Sequence, residues 1–150
     1  LSSVAAIPSS TELVIRPVDD DVRPASDWLA QSCESQGVPA PQILRLDLCL
    51  NEVLANVIAH GGHQALACPV WLRLEVSGDA KTRQASVTVR DSGAPFDATA
   101  APLGPRPLTL DDAEPGGLGL LMMRKLSDAL SYRHDNGRNE LTFSVRWDLP

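Results

Sequence analysis

Hydrophobic and polar positions alternate along residues 11–17, with Leu13 and Ile15 on one side, and this predicts a short edge strand. Residues 22–36 change to helical spacing, with Val22, Ala25, Leu29 and Cys33 on one face. Asp19, Asp20 and Asp21 offer N-caps before that helix, and Gly37 is a stop signal after it. A longer helix is predicted over residues 42–60, ending at Gly61-Gly62, with Leu46, Leu50, Val53 and Val57 as its core stripe. Residues 69–78 return to strict alternation, Val70, Leu72, Leu74 and Val76 facing one way and Trp71, Arg73 and Glu75 the other. Residues 85–90 repeat the pattern with Ala85, Val87 and Val89, and the polar stretch 79–83 joins the two runs as a hairpin. A helix is predicted over residues 118–129. A last hairpin spans residues 130–134 and 140–147 around Asn136-Gly137, with Leu141, Phe143, Val145 and Trp147 on one face. This order of elements predicts an α+β fold: a two-layer α/β sandwich with helices on one face of a mainly antiparallel sheet.

Two stretches depart from plain core patterning. Glu52, Asn56 and His60 recur at i, i+4 and i+8 within the long helix, so they share one face at the edge of its apolar stripe. A carboxylate, an amide and an imidazole are costly to bury there without a purpose. Residues 92–116 contain five prolines and little periodicity, and a loop of that length in a small domain is usually functional or mobile.

The chain has 150 residues, enough for one domain with a real core, which the patterning places at residues 11–150 after a disordered segment at 1–10. A net charge of −6 argues against nucleic acid and an anionic membrane surface as partners. The apolar runs fall far short of the roughly 20 residues of a membrane helix. Residues 1–10 lack the basic and apolar regions of an intact signal peptide, which leaves a trimmed terminus or the start of an excised domain. Cys33, Cys49 and Cys68 are odd in number and have no C-x-x-C spacing, which fits reduced, buried thiols in a cytoplasmic protein.

Three segments carry candidate chemistry, and together they suggest a nucleotide site. On the long helix, the Asn56 amide oxygen suits Mg²⁺, which takes oxygen ligands and shares its shell with nucleotide phosphates. Glu52, one turn earlier, can accept a proton from an attacking hydroxyl or water. At the end of the second alternating run, Asp91 can accept a hydrogen bond from an exocyclic amine such as that of adenine, and Gly93 leaves room for a flat ring. Pro115-Gly116-Gly117-Leu118-Gly119-Leu120 opens a helix, where freed backbone N–H groups and the helix dipole favour phosphate. Each segment alone also fits an ordinary role: the polar edge of a core helix, an Asp-x-Gly turn, a glycine loop. The glycine cluster is neither a P-loop nor a dinucleotide fingerprint, the His60–His63 pair lacks further ligands for zinc, and no G-x-S-x-G motif is present.

The order of the three segments is more specific than any one of them, and it resembles the GHKL ATPase/kinase superfamily with its Bergerat ATP-binding fold. The family's N box is similar to residues 51–60, its first glycine box to Asp91-Ser92-Gly93-Ala94-Pro95-Phe96-Asp97, and its second to Gly116-Gly117-Leu118-Gly119-Leu120. The form of the boxes, and the run into Met122-Met123-Arg124-Lys125-Leu126-Ser127-Asp128, most resembles the bacterial anti-sigma factor serine/threonine kinases, over about residues 11–147. The resemblance implies ATP/ADP and Mg²⁺ as cofactors, Asn56 as the magnesium ligand and Glu52 as the general base. It implies Asp91 and Gly93 at the adenine, Thr142 assisting from the last strand, and Phe96 among the nucleotide-binding residues. Gly117 and Gly119 would line the phosphates, Leu118 between them would also bind the nucleotide, and residues 98–115 would be the ATP lid.

The implied partner is an anti-anti-sigma protein phosphorylated on serine or threonine, with a sigma factor as a further candidate, and a homodimer is compatible with the resemblance. One departure keeps a second reading open. Some relatives carry an arginine just before the second glycine box, where this chain has Asp111-Asp112-Ala113-Glu114-Pro115, and Arg106 is the nearest preceding arginine. Phosphoryl transfer depends on charge stabilisation. The acidic stretch therefore also fits a nucleotide-sensing module that binds a partner with little or no transfer.

Overall fold

In the computed structural model, which describes residues 9–95 and 117–150, five strands form one antiparallel sheet. They are β1 (Ser9–Ile15), β2 (Val70–Gly78), β3 (Thr82–Asp91), β4 (Ala129–Asp135) and β5 (Arg138–Asp148), in the order β1-β2-β3-β5-β4. The alternation seen in the sequence sets which face is covered. Val70, Leu72, Leu74 and Val76 of β2, Ala85, Val87 and Val89 of β3, and Leu141, Phe143, Val145 and Trp147 of β5 are all buried. The residues between them make the opposite face. There Arg90 lies 4.2 Å over the Trp71 ring and 3.0 Å from Glu140, which also pairs with Arg133 at 3.2 Å.

Helices α1 (Val22–Ser35), α2 (Ala40–His60), α3 (Gly62–Ala67) and α4 (Gly117–Leu126) supply the second layer. α2 is central: it packs on β3 and β5, with α1 on one flank over β1 and β2, and α4 on the other. Its stripe of Leu46, Leu50, Val53 and Val57 is buried, and Cys49 and Leu54 widen it. Burial pushes the thiols of Cys33 and Cys49 up to about 12 and about 11, so both remain protonated and unreactive near neutral pH.

The terminal signals act in different ways. Gly37 adopts φ +79°, its N–H donates to Glu34 O and the next N–H, of Val38, donates to Cys33 O. That bond pair is a Schellman cap, sealed by burial of Val38 beside Cys33. The aspartates expected as N-caps of α1 make no side-chain cap. Asp19–Asp21 form a 3-10 turn, and Asp21 is engaged by Arg16 through its backbone N–H (2.8 Å) and guanidinium (2.9 Å). β1 begins at Ser9, earlier than the alternation indicated, because Ser9 and Ser10 pair with Val76 and Glu75. The last helix ends at Leu126 rather than residue 129, since Ala129 opens β4 opposite Ser144. The first eight residues of the expected disordered segment lie outside the described residues.

The largest departure follows α2. Gly61-Gly62 does not end the helical layer but redirects it into α3, with Gly62 at φ +77°. Ala65 of α3 stacks on Gly61 so closely that a Cβ on that glycine would lie 2.4 Å from the Ala65 Cβ. Among the described residues no helix is long and apolar enough to cross a membrane.

Candidate nucleotide site

Two elements meet where α2 ends, and a third packs against α2. α2 carries Glu52 and Asn56, both half-buried beside the buried Val53 and Val57, while His60 is exposed. Among the described residues neither Glu52 nor Asn56 spends its side chain on a hydrogen bond, in contrast to Asn51, whose Nδ2 donates to Asp47 O at 2.8 Å. A half-buried amide and carboxylate on successive turns of one face thus remain available to a ligand. An amide oxygen and a nearby carboxylate are the donor types a magnesium–nucleotide complex requires.

The end of β3 forms the second wall. Gly93 N–H donates to Asp91 Oδ1 at 2.8 Å, closing a tight Asx turn, and Gly93 itself is buried. The turn is pressed against the end of α2: Ala94 N–H reaches Gly61 O at 3.4 Å. A Cβ on Gly93 would lie 2.9 Å from Asp91 Oδ1, 3.0 Å from Gly61 O and 3.1 Å from Gly61 Cα. Gly93 is therefore required for close approach between loop and helix.

The third element is α4. Its C-terminus is anchored near the start of α2, where Arg45 Nε donates to Leu126 O at 2.6 Å and the guanidinium pairs with Asp128 at 3.2 Å. A cation there also suits the negative end of the helix dipole. From that anchor α4 packs against α2. The helix begins at Gly117, so Gly117, Leu118 and Gly119 form its first turn, whose N–H groups have no intrahelical acceptor. Phe96, residues 98–115 with Arg106, and Gly116 lie outside the described residues.

Thr142 is not brought to this group. It stands on the sheet face opposite the helices, paired with Thr88, and the two hydroxyls are 2.9 Å apart. The residue opposite Asp91 is Asn139, which the sequence reading did not single out. Asn139 is 7% exposed, and its Nδ2 donates to Asp91 Oδ1 (3.1 Å), Gly93 O (3.3 Å) and Ala94 O (2.9 Å). The alternation of β5 carried the face alone: Leu141 and Phe143 face the helices, so residue 139 does too and residue 142 does not, while its place opposite Asp91 comes from the strand register.

Helices over one face of an antiparallel sheet, with an aspartate turn pressed on the end of a polar-edged helix and a glycine-rich start to the helix packed beside it, define a GHKL-type domain. The model of the histidine kinase-like ATPase domain matches residues 15–145, and the chain belongs to that family. The serine/threonine-protein kinase BtrW of Bordetella bronchiseptica is 37% identical over 99 residues, which are 66% of this chain and 67% of that protein. The crystal structure of the RsbU and RsbW domains of Rv1364c from Mycobacterium tuberculosis matches 95% of this chain with a TM-score of 0.68 and 15% identity. This chain spans about a third (33%) of that one, and the likeness is one of fold.

Proposed function

We propose that this domain is an ATP- and Mg²⁺-dependent serine/threonine protein kinase of the anti-sigma factor type, acting on an anti-anti-sigma protein. The observation that carries the reading is the junction at the end of α2. There Gly93 abuts Gly61 and, among the described residues, Asp91 keeps one carboxylate oxygen clear and Glu52 and Asn56 stand unspent on the adjoining helix face. The kinase named among its relatives supports the choice of reaction.

In this reading Asp91 accepts the exocyclic amine of adenine, and the close fit at Gly93 leaves a flat wall for the ring. The N–H groups of the first turn of α4 receive the phosphates. Asn56 would hold Mg²⁺ through its amide oxygen, and the ion would offset phosphate charge as the terminal phosphoryl group leaves. Glu52 takes the proton from the acceptor hydroxyl, whose oxygen forms the new bond to phosphorus while the bond to ADP breaks. Release or capture of a sigma factor would follow the partner's phosphorylation state.

Transfer of radiolabel from ATP to the partner protein tests this. Glu52→Ala should lower the transfer rate by about 10²–10⁴-fold, the usual contribution of a positioned base, with nucleotide affinity retained. Undiminished transfer in that variant removes Glu52 from the role. Partner binding without transfer in either form favours the nucleotide-sensing module that the acidic residues 111–115 also fit.

A further inference from the structure

Asp91 is held from one side only. Both of its hydrogen bonds fall on Oδ1, from Gly93 N–H and from Asn139 Nδ2, and Oδ2 accepts none among the described residues. The donor on Asn139 is itself oriented. The Tyr132 hydroxyl, from the neighbouring strand β4, donates to Asn139 Oδ1, which turns the Nδ2 group toward Asp91 and the loop. Among the described residues that NH₂ meets three oxygens, of Asp91, Gly93 and Ala94. A reversed amide would aim its carbonyl at all three, so the arrangement has one stable polarity.

We propose that Tyr132 and Asn139 form a positioning relay that sets the purine specificity of the nucleotide site. The relay spends Oδ1, so the carboxylate offers a single acceptor, Oδ2, to the base. An exocyclic amine donates to it. An exocyclic carbonyl at the same place would set oxygen against oxygen with no proton between them. Discrimination of this kind is large when the polar group of the site is left unpaired by the wrong ligand. Without Asn139 the carboxylate can turn about its side-chain bonds and the loop carbonyls lose their donor, so the acceptor no longer points one way. The inference rests on the nucleotide reading above and names the residues that sharpen it.

The test compares ADP with inosine diphosphate, which carries a carbonyl in place of the exocyclic amine. Affinities are measured by calorimetry for the unaltered chain, Asn139→Leu and Tyr132→Phe. The unaltered chain should prefer ADP by on the order of 100-fold or more. Asn139→Leu should cut that ratio by about tenfold, with most of the change in ADP affinity, and Tyr132→Phe should cut it less. A purely structural role would weaken both nucleotides in proportion and leave the ratio unchanged. An unchanged ratio in both variants overturns the relay while leaving the nucleotide site standing. If Asn139→Leu does not fold, an unchanged ratio in Tyr132→Phe has the same force. Failure of the unaltered chain to bind either nucleotide overturns the site assignment itself.

Discussion

Adding one methyl group at Gly93 is the sharpest probe of how loop and helix are joined. Gly93 is not among the glycines with positive φ, so Gly93→Ala introduces no backbone strain, and its cost is steric. The new Cβ would sit 2.9–3.1 Å from Asp91 Oδ1, Gly61 O and Gly61 Cα, where ordinary contact begins near 3.4 Å. None of these neighbours gives way easily. Asp91 Oδ1 is anchored by two donors, and Gly61 is packed under Ala65. The loop must therefore lift by several tenths of an ångström, which breaks the 3.4 Å bond from Ala94 N–H to Gly61 O and re-aims the carboxylate.

Overpacking of this kind costs about 1–3 kcal/mol, which at roughly 2–4 °C per kcal/mol lowers the melting temperature by about 2–12 °C. Loss of an aligned hydrogen bond to a charged group costs a further 1.5–3 kcal/mol or so in nucleotide binding, or roughly 10–100-fold in Kd. Differential scanning fluorimetry with and without Mg·ADP reads both effects. For the unaltered chain, ligand at about 100 times its Kd adds about 2.7 kcal/mol, and this increment should shrink in the variant. A Gly93→Ala protein with unchanged melting temperature and ADP affinity within twofold of the unaltered chain would refute the close-approach argument.

Asp91→Asn keeps the Oδ1 acceptor for Gly93 and Asn139 but replaces Oδ2 with an amide donor. It should lose about 10–100-fold in adenine nucleotide affinity, measured by fluorescent-nucleotide competition, while its denaturant midpoint stays within about 1 kcal/mol of the original. A large loss of stability with affinity intact would contradict that division of labour. Arg45→Ala removes the donor at Leu126 O and the pair with Asp128. It should cost about 1–2 kcal/mol in urea denaturation, and an unchanged midpoint would show that α4 is held by packing alone. Glu140 is subject to burial, which raises its pKa, but the hydrogen bonds from Arg90 and Arg133 outweigh it and hold the carboxyl below the usual range. Its contribution is therefore complete above the ordinary carboxylate pKa of about 4.3 and is lost as pH falls through the depressed folded value. Glu140→Gln should be the less stable form at neutral pH, and the gap should close in acid; a gap that widens in acid would reverse the assignment.

The sequence by itself determined the elements and the covered face of the sheet. A period of two buries Val70, Leu72 and Leu74 or exposes all three, and a period near 3.6 does the same for Leu46, Leu50, Val53 and Val57. It also determined the helix-borne part of the candidate site, since Glu52 and Asn56 share a face through local geometry alone. Which residue would stand beside Asp91 was not legible, because strand register is set by pairing across the sheet rather than by either strand. The β3–β5 register puts Asn139 there, and the alternation of β5 puts Thr142 on the far face. The turn of α2 into α3 was equally hidden: two glycines read as a stop, and only the packing of Ala65 on Gly61 makes them a bend that receives Gly93. Local periodicity placed the chemical groups on their elements. The tertiary structure decided which of them meet, because contacts between distant segments depend on register and close packing.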